Sequence, residues 1–526
     1  MDEAGAWLDR GASEYVQDVE FPSGFVADLT PAILSVVAAF EGYQPPDPAG
    51  PFRYAELGCG DGTTLLALAA VNPQATFVGV DFNAAHIAEA ERVRARLGLD
   101  NVRFVQGSFA ELAAASGQPL GDDPFDYMVS NGCYGWLDRK QRLAVEELVK
   151  DRLRPGGLLF VEYLAQPGKA AIAAMWKLAQ ALAPPTAFDT SRRRAEHALK
   201  ELEKLAKRGM GFFAAYPGAA ATLRRYLTGG ALQGDTDRLN HFAHNSLAAG
   251  FEPRYFHEMY DRMEEIGLSY AGSTMLHLND PELAVPPAQV PTLREQTGHR
   301  LRELIKDFIR NTHTRRDVWV MRAEADRDGA DAWLAGLRLF SRMPADAMPR
   351  SLAVNKQHQV PLVGPLYEQL IAASDTHAGA SLKNLGLSPA QAAVGRKMLL
   401  RLLASGGYLL GIRPASEIGH RGRLQPVNRW LLERALERGG GGHLVSPVTG
   451  GAAISCHVVE TALLLSLNDA EDWNAPDRVL QRARALLDQT QSQRKNQPEV
   501  KEDDLRSAFE LLAGRKRLNM QRTAII

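Results

Sequence analysis

The chain has 526 residues, enough for about two to four domains. Hydrophobic residues make up 45% and charged residues 23%, the balance of a globular chain. Lys plus Arg (60) against Asp plus Glu (62) leaves a formal charge of −2, which argues against a protein built mainly to coat nucleic acid or an anionic membrane.

Three cysteines, Cys59, Cys133 and Cys456, cannot form a disulfide framework. The opening MDEAGAWLDR is acidic and lacks the basic and apolar regions of a signal peptide. The uncharged stretch at residues 439–459 is broken by glycines, a proline and two histidines, so it does not read as a membrane span. A cytoplasmic, reducing setting is expected.

Residues 1–50 read as a helical lead-in, with Tyr15, Phe21 and Phe25 placed to fold over a neighbouring site as a lid. From residue 52 strands and helices alternate. Strands are predicted at 54–57, 75–80, 102–105, 125–129 and 158–163, and helices at 63–70, 84–97 and 141–153, the last ending at the turn signal RPGG. This alternation predicts βαβ units and a parallel sheet, in a core at 51–165.

Residues 166–250 change character and read as a helical insert, with helices at 170–182 and 191–208; the second is basic on one face and apolar at Leu199, Leu202, Leu205 and Ala206. Residues 251–325 return to α/β, and strands near 268–275 and 317–323, with a helix at 293–310 between them, are predicted to join the first sheet. Residues 330–526 read as a separate, mostly helical region. Within it, 381–412 reads helix, turn, helix, glycine turn, strand, similar to a winged helix, with a helix start at Ser388-Pro389. Residues 489–504 read as a polar linker.

The informative segment is YAELGCGDGTT. A strand runs into Glu56, then Gly58, Gly60 and Gly62, then a helix, a turn that brings main-chain N–H groups close to a ligand. Thr63 stands where a dinucleotide loop has its last glycine, and Glu56 would repel a pyrophosphate while suiting an amino group or a sulfonium. Asp81, at the end of the second strand, is placed to accept two ribose hydroxyls, with Phe82 as an apolar face for a base. Ser108-Phe109 follow the third strand and Asn131 the fourth. Ligands of open α/β sheets bind at these carboxyl ends. His241 and His244 have i, i+3 spacing but no third ligand, so no metal site is expected.

Glu56-x-Gly58-x-Gly60-x-Gly62, Asp81, FDYMVSNG and RPGGLLFVEY, in that order, resemble a class I S-adenosylmethionine-dependent methyltransferase. The resemblance implies a Rossmann-like α/β sheet with S-adenosyl-L-methionine as cofactor. Gly58, Gly60 and Gly62 would lie along its methionine part, Glu56 would hold the amino-acid end and Asp81 the ribose. Phe82, Ser108 and Phe109 would flank the adenine, and Asn131 would lie near the reacting end. Many members carry an acid where this chain has Ser108, which leaves its hydroxyl or a backbone group for the adenine amine.

EFPSGFVADLTPAIL, NGCYGWLD, VEYLAQPG, PRYFHEMYDRMEEIGLSYAG, DFIRNTHTRRDVW and VSPVTGGAA together are similar to methyltransferases carrying a methyltransferase regulatory domain, among them the rickettsial outer-membrane-protein lysine methyltransferases. That likeness implies in-line methyl transfer to a lysine of a protein substrate, with Asn131, Tyr134, Trp136 and Tyr163 as the pocket that receives the amine. The substrate-side residues 131–136 and 162–164 depart from the family's usual motifs, so two alternatives stay open. One is a small-molecule, glycan or peptide natural-product acceptor, with the C-terminal region forming a homodimer. The other is a non-catalytic, cofactor-binding scaffold.

Overall fold

The computed structural model describes residues 16, 18–19, 24–115, 119–228, 234–248, 250–354, 358–376, 378–385, 389–414, 418, 424–490 and 500–526. Seven strands, β1 (Arg53–Leu57), β2 (Thr76–Asp81), β3 (Val102–Gln106), β4 (Phe125–Ser130), β5 (Leu153–Leu164), β6 (Leu268–Ser273) and β7 (Thr314–Met321), form one sheet in the order β3-β2-β1-β4-β5-β7-β6. β1 to β5 pair in parallel, and β7 runs antiparallel between β5 and β6. The two late strands therefore close the sheet, as expected.

Each central strand is apolar on both faces because helices cover both. On one face Tyr54, Phe77, Val129 and Phe160 pack with Leu34 and Val37 of α1 (Pro31–Glu41), Leu65 and Leu68 of α2 (Thr63–Val71) and Val93 of α3 (Ala84–Leu97). On the other, Ala55, Val78, Met128 and Leu159 pack with Leu112 of α4 (Phe109–Ala114) and with Val145 and Leu148 of α5 (Arg139–Arg152). The period of two along each strand sorts neighbours to opposite layers.

The helix stops just before the RPGG segment, as expected, but the strand does not wait for Leu158. α5 ends at Arg152 and β5 starts at once. The four residues bulge out, since Phe125 faces Leu153 while Tyr127 already faces Leu158. Arg154 Nε donates to Asp126 Oδ1 at 2.5 Å and anchors the bulge.

The insert is formed by α6 (Ala170–Leu182), α7 (Ser191–Lys207), α8 (Gly211–Ala215), α9 (Pro217–Thr228) and α10 (Gly234–Ser246). It has its own core of Met175, Trp176, Leu199, Leu202, Leu223 and Phe242, which Val16 joins. The cations of α7 form its outer face, with Lys204 and Lys207 paired to Glu201 and Glu203. α11 (Phe256–Glu265) leads back to the sheet. α12 (Pro281–Ala284) and α13 (Val290–Arg294) precede α14 (His299–Arg310), so the single helix expected at 293–310 is two, separated at Gly298, whose extended backbone caps α14.

The C-terminal region has a cluster of its own around Leu432, Leu463, Leu480 and Leu505. It also shares the first core: Leu399, Leu402, Trp430 and Leu431 pack in the cluster that holds Leu34 and Leu68. In 381–412 the first expected helix is a 3-10 turn, Leu382–Leu385, because Gly386 and Pro389 follow at once. Helix Pro389–Ala404 and strand Tyr408–Gly411 follow, and the strand pairs antiparallel with Arg338–Ser341. Ser388 and residues 491–499 of the expected linker lie outside the described residues. Among those described, no helix is long and apolar enough to cross a membrane.

Candidate active site

β1 delivers Glu56 to the carboxyl edge of the sheet. The N–H groups of Gly58 and Cys59 both donate to Val80 O (2.8 and 2.9 Å), which pins the start of the turn to β2. Gly58, Gly60 and Gly62 all take positive φ (83°, 54° and 72°). Asp61 Oδ1 then accepts from the Thr63 N–H and hydroxyl (3.1 and 2.6 Å) and opens α2.

A cleft of about 2950 Å³ runs from this turn along the ends of β2, β3 and β4 to the insert. Glu56, Gly58, Gly60, Asp81, Phe82, Ser108, Phe109, Asn131 and Trp136 all line it. Gly62 does not; a Cβ there would sit 2.7 Å from the Phe104 ring, so its role is the close packing of α2 on β3.

Asp81 is held on both oxygens. Oδ2 accepts from Gly60 N–H (2.9 Å) and Oδ1 from Asn83 N–H (2.9 Å), with His86 Nδ1 3.5 Å from Oδ1. Glu56 is 5% exposed, and its Oε2 is buried with no hydrogen-bond partner. Burial, then the charges of Asp61 and Asp81, push its carboxyl up to about 8. The head of the cleft is thus a three-carboxylate site, and Arg434 of the C-terminal region pairs with Asp61.

Ser108 caps α4: its N–H and hydroxyl both donate to Glu111 Oε2 at 2.8 Å, and its oxygen accepts from Glu111 N–H. Glu111 lines the same cleft, three residues after position 108.

Asn131 Oδ1 is buried without a partner. Trp136 lines the cleft, packs edge-on against Phe251 of the insert and donates from Nε1 to Asn245 O (3.4 Å). Two expected pocket residues do not line the cleft. The Tyr134 hydroxyl donates to Glu146 (2.8 Å) and that of Tyr163 to Asp317 (2.8 Å), both within the layer under α5 and α11. Phe25 packs on the first core near His443 and is not in the lining either, although Gly24 and Val26 are. Tyr15 and Phe21 lie outside the described residues. His241 meets Tyr226 (2.9 Å), and His244 meets Val19 O (2.9 Å).

The sequence reading passed over Asp61, Cys133 and Arg434. Asp61 stands inside the glycine motif and was open to inspection. The Cys133 thiol is buried against the turn, donating to Leu57 O (3.4 Å) and sharing a hydrogen bond with Ser130, and burial pushes it up to about 12. Arg434 comes from 373 residues away and left no local signal.

Residues 52–228 match the family model "Methyltransferase domain", and residues 239–321 match "Predicted methyltransferase regulatory domain". An uncharacterized protein of Synechocystis sp. is 30% identical over 311 residues, 58% of either chain. A 107-residue stretch is 37% identical to trans-aconitate 2-methyltransferase of Deinococcus radiodurans, covering 20% of this chain and 36% of that one. The chain thus spans little more than half of the Synechocystis relative it matches. In fold it is similar to PKMT2 from Rickettsia typhi in complex with AdoHcy, with a TM-score of 0.64 at 16% identity, covering 96% of this chain and 99% of that one.

Proposed function

Because the chain carries a methyltransferase domain and a methyltransferase regulatory domain on the class I methyltransferase fold, we propose that it is an S-adenosylmethionine-dependent enzyme that methylates lysine side chains of a protein substrate in the cytoplasm. The observation that carries the cofactor reading is Glu56, a buried carboxyl with an unpartnered oxygen beside Asp61 and Asp81. Such a cluster repels a pyrophosphate and is completed by a cation. PKMT2 from Rickettsia typhi, which shares the fold, binds AdoHcy.

The residues present fit the cofactor. Glu56 and the Gly58–Gly60 turn hold its amino-acid end. Asp81 spends one lone pair of each oxygen on Gly60 and Asn83, which leaves acceptor capacity for the ribose hydroxyls. Phe82 and Phe109 enclose the base, with Ser108 and the Glu111 it caps at the base's edge. When bound, the cofactor supplies an electrophilic methyl group on a sulfonium.

The protein's part is to align an acceptor and exclude water. A lysine amine reacts only when neutral, and burial in the cleft disfavours its charged form. Asn131 Oδ1 is available to accept from the amine and orient its lone pair. Trp136, packed edge-on against Phe251, forms one wall that shields the acceptor from solvent. The phenols of Tyr134 and Tyr163 are committed elsewhere and take no part. The cleft continues past the cofactor end to Trp136 and the insert, which leaves room for an acceptor side chain beside the methyl donor.

A small-molecule acceptor is the second reading, raised by the likeness to trans-aconitate 2-methyltransferase. Calorimetry with S-adenosylhomocysteine, against NAD as contrast, tests the cofactor; tight binding of NAD alone overturns it. A radiolabelled methyl donor in cell lysate then tests the acceptor. Label in protein, recovered as methyl-lysine, is expected. Label confined to the small-molecule fraction overturns the lysine reading, and binding with no transfer to any fraction leaves a scaffold.

A further inference from the structure

The helix Pro426–Glu437 packs on α2, and its side chains reach α3. Its Arg434 reaches Asp61 Oδ2 and comes within 3.9 Å of Glu89, while the adjacent Glu433 pairs with Arg96 at 2.8 Å. The Arg434 and Asp61 side chains are only 17% and 12% exposed, so this pair is shielded from solvent and salt far more than a surface pair.

The turn it touches is pinned to β2 by the Gly58 and Cys59 N–H groups on Val80 O and by Gly60 N–H on Asp81, and Arg434 ties its Asp61 side to the C-terminal region. Residues 58–62 are mostly glycine, with backbone torsions that an unrestrained chain samples as one option among many. One oxygen of Asp61 starts α2 through Thr63, and the other is taken by Arg434. Removing the arginine leaves a sheltered carboxylate near Glu56 and Asp81, in the part of the cleft where Gly60 and Asp61 are both lining residues.

Building on the cofactor reading above, we propose that Arg434 is a positioning residue for the cofactor: its ion pair with Asp61 fixes the glycine turn, so the C-terminal region completes the cofactor site. Arg434 does not line the cleft and reaches the turn through Asp61. The arrangement makes cofactor binding and docking of residues 426–437 mutually dependent, since each favours the same state of the turn.

A second contact of the same region supplies the control. Arg413 donates to Asn72 Oδ1 (3.0 Å) and Pro48 O (2.7 Å) at the far end of α2, and Asn72 in turn donates to Gly450 O (2.9 Å). This anchor also ties the C-terminal region to the core, yet it touches no part of the turn.

The test uses the full chain and S-adenosylhomocysteine in calorimetry, with thermal melts of each variant. Wild type is measured first, and failure of wild type to bind sinks the cofactor reading rather than this one. With wild type binding, Arg434→Gln is expected to raise Kd at least tenfold and to raise KM for the methyl donor, with kcat at saturating donor within about threefold. Arg434→Lys should recover part of the affinity, and Arg413→Gln should leave Kd within about twofold even where it lowers Tm more. An Arg434→Gln protein that binds as wild type overturns the proposal. So does an Arg413→Gln protein that loses as much affinity, because the effect is then general loosening of the C-terminal region.

Discussion

Two carboxylates of the cleft make opposite demands on the protein. Asp81 is satisfied by two backbone donors; Glu56 is buried with an oxygen unmatched. Burial, with Asp61 and Asp81 nearby, raises Glu56 from an ordinary 4.5 to about 8. A carboxyl raised in the native state weakens folding progressively as pH climbs from about 4.5 to about 8, since the unfolded chain has already lost the proton. Glu56→Gln should therefore raise Tm of the ligand-free protein more at pH 8 than at pH 5, while cofactor affinity falls. Equal changes in Tm at both pH values would refute the assignment. Asp81→Ala should weaken S-adenosylhomocysteine roughly 10- to 100-fold by calorimetry, as expected for losing hydrogen bonds to a charged acceptor. The lining positions of these residues were legible because the βαβ pattern alone puts strand ends together. The faces of Tyr134 and Tyr163 were not. Tyr163 shares its layer with Val161, two residues back, whereas the intervening Glu162 pairs with Arg316, its partner on the neighbouring strand β7, and no residue type in that alternation says which side the cleft is on.

At the scale of elements, strand and helix identities followed from apolar periodicity, but two punctuation marks misled. RPGG contains the strongest turn signal in the region, yet it forms a bulge inside β5, because the ladder with β4 resumes at Leu158 and Arg154 ties the excursion to Asp126. Gly298 divides a helix that apolar spacing alone runs together. Nor does the sequence reveal what fastens α14 to the edge of the sheet. Arg315 of β7, 5% exposed, reaches Glu303 (3.0 Å) and Asp307 (2.8 Å) of α14 and its own strand neighbour Asp317 (2.8 Å), and its guanidinium lies 4.2 Å from the Phe256 ring centroid. Burial raises Glu303, but Lys306 and Arg315 more than reverse this, bringing it down to about 2. The network joins α11, α14 and β7 around one cation. Arg315→Met leaves three acids buried with Lys306 as their only neighbouring cation among these residues. It should cost about 3–5 kcal/mol in urea unfolding. A loss below about 1 kcal/mol would mean the acids simply take up protons and the network is replaceable.

At the scale of the molecule, the cleft and the turn at its head depend on three parts of the chain that lie far from one another in sequence. The core supplies the carboxyl ends of the strands, and the C-terminal region reaches the turn through Arg434. The insert supplies the opposite wall through Gln180, Leu247 and Phe251. Strand and helix patterns predicted each part, but no pattern reports which surfaces dock, since docking depends on single close approaches between distant segments. One such approach fixes the insert. Where the insert returns to the core, Gly250 lies so near the loop after β4 that a Cβ there would stand 2.1 Å from Trp136 O. Glu252 then donates its N–H to Gly135 O (3.1 Å) and pairs with Arg142 (2.6 Å). A backbone carbonyl cannot swing aside as a side-chain tip does, so Gly250→Ala must push residues 250–252 away from the Trp136 loop and widen the acceptor end of the cleft. The glycine turn and Asp81 lie at the other end and keep their contacts. The expected outcome is a KM for the methyl-accepting substrate raised at least fivefold, with Kd for S-adenosylhomocysteine within about twofold of wild type. Equal weakening of both would show that the insert and the cofactor end move as one body, and no change in either would show that the insert does not shape the acceptor site.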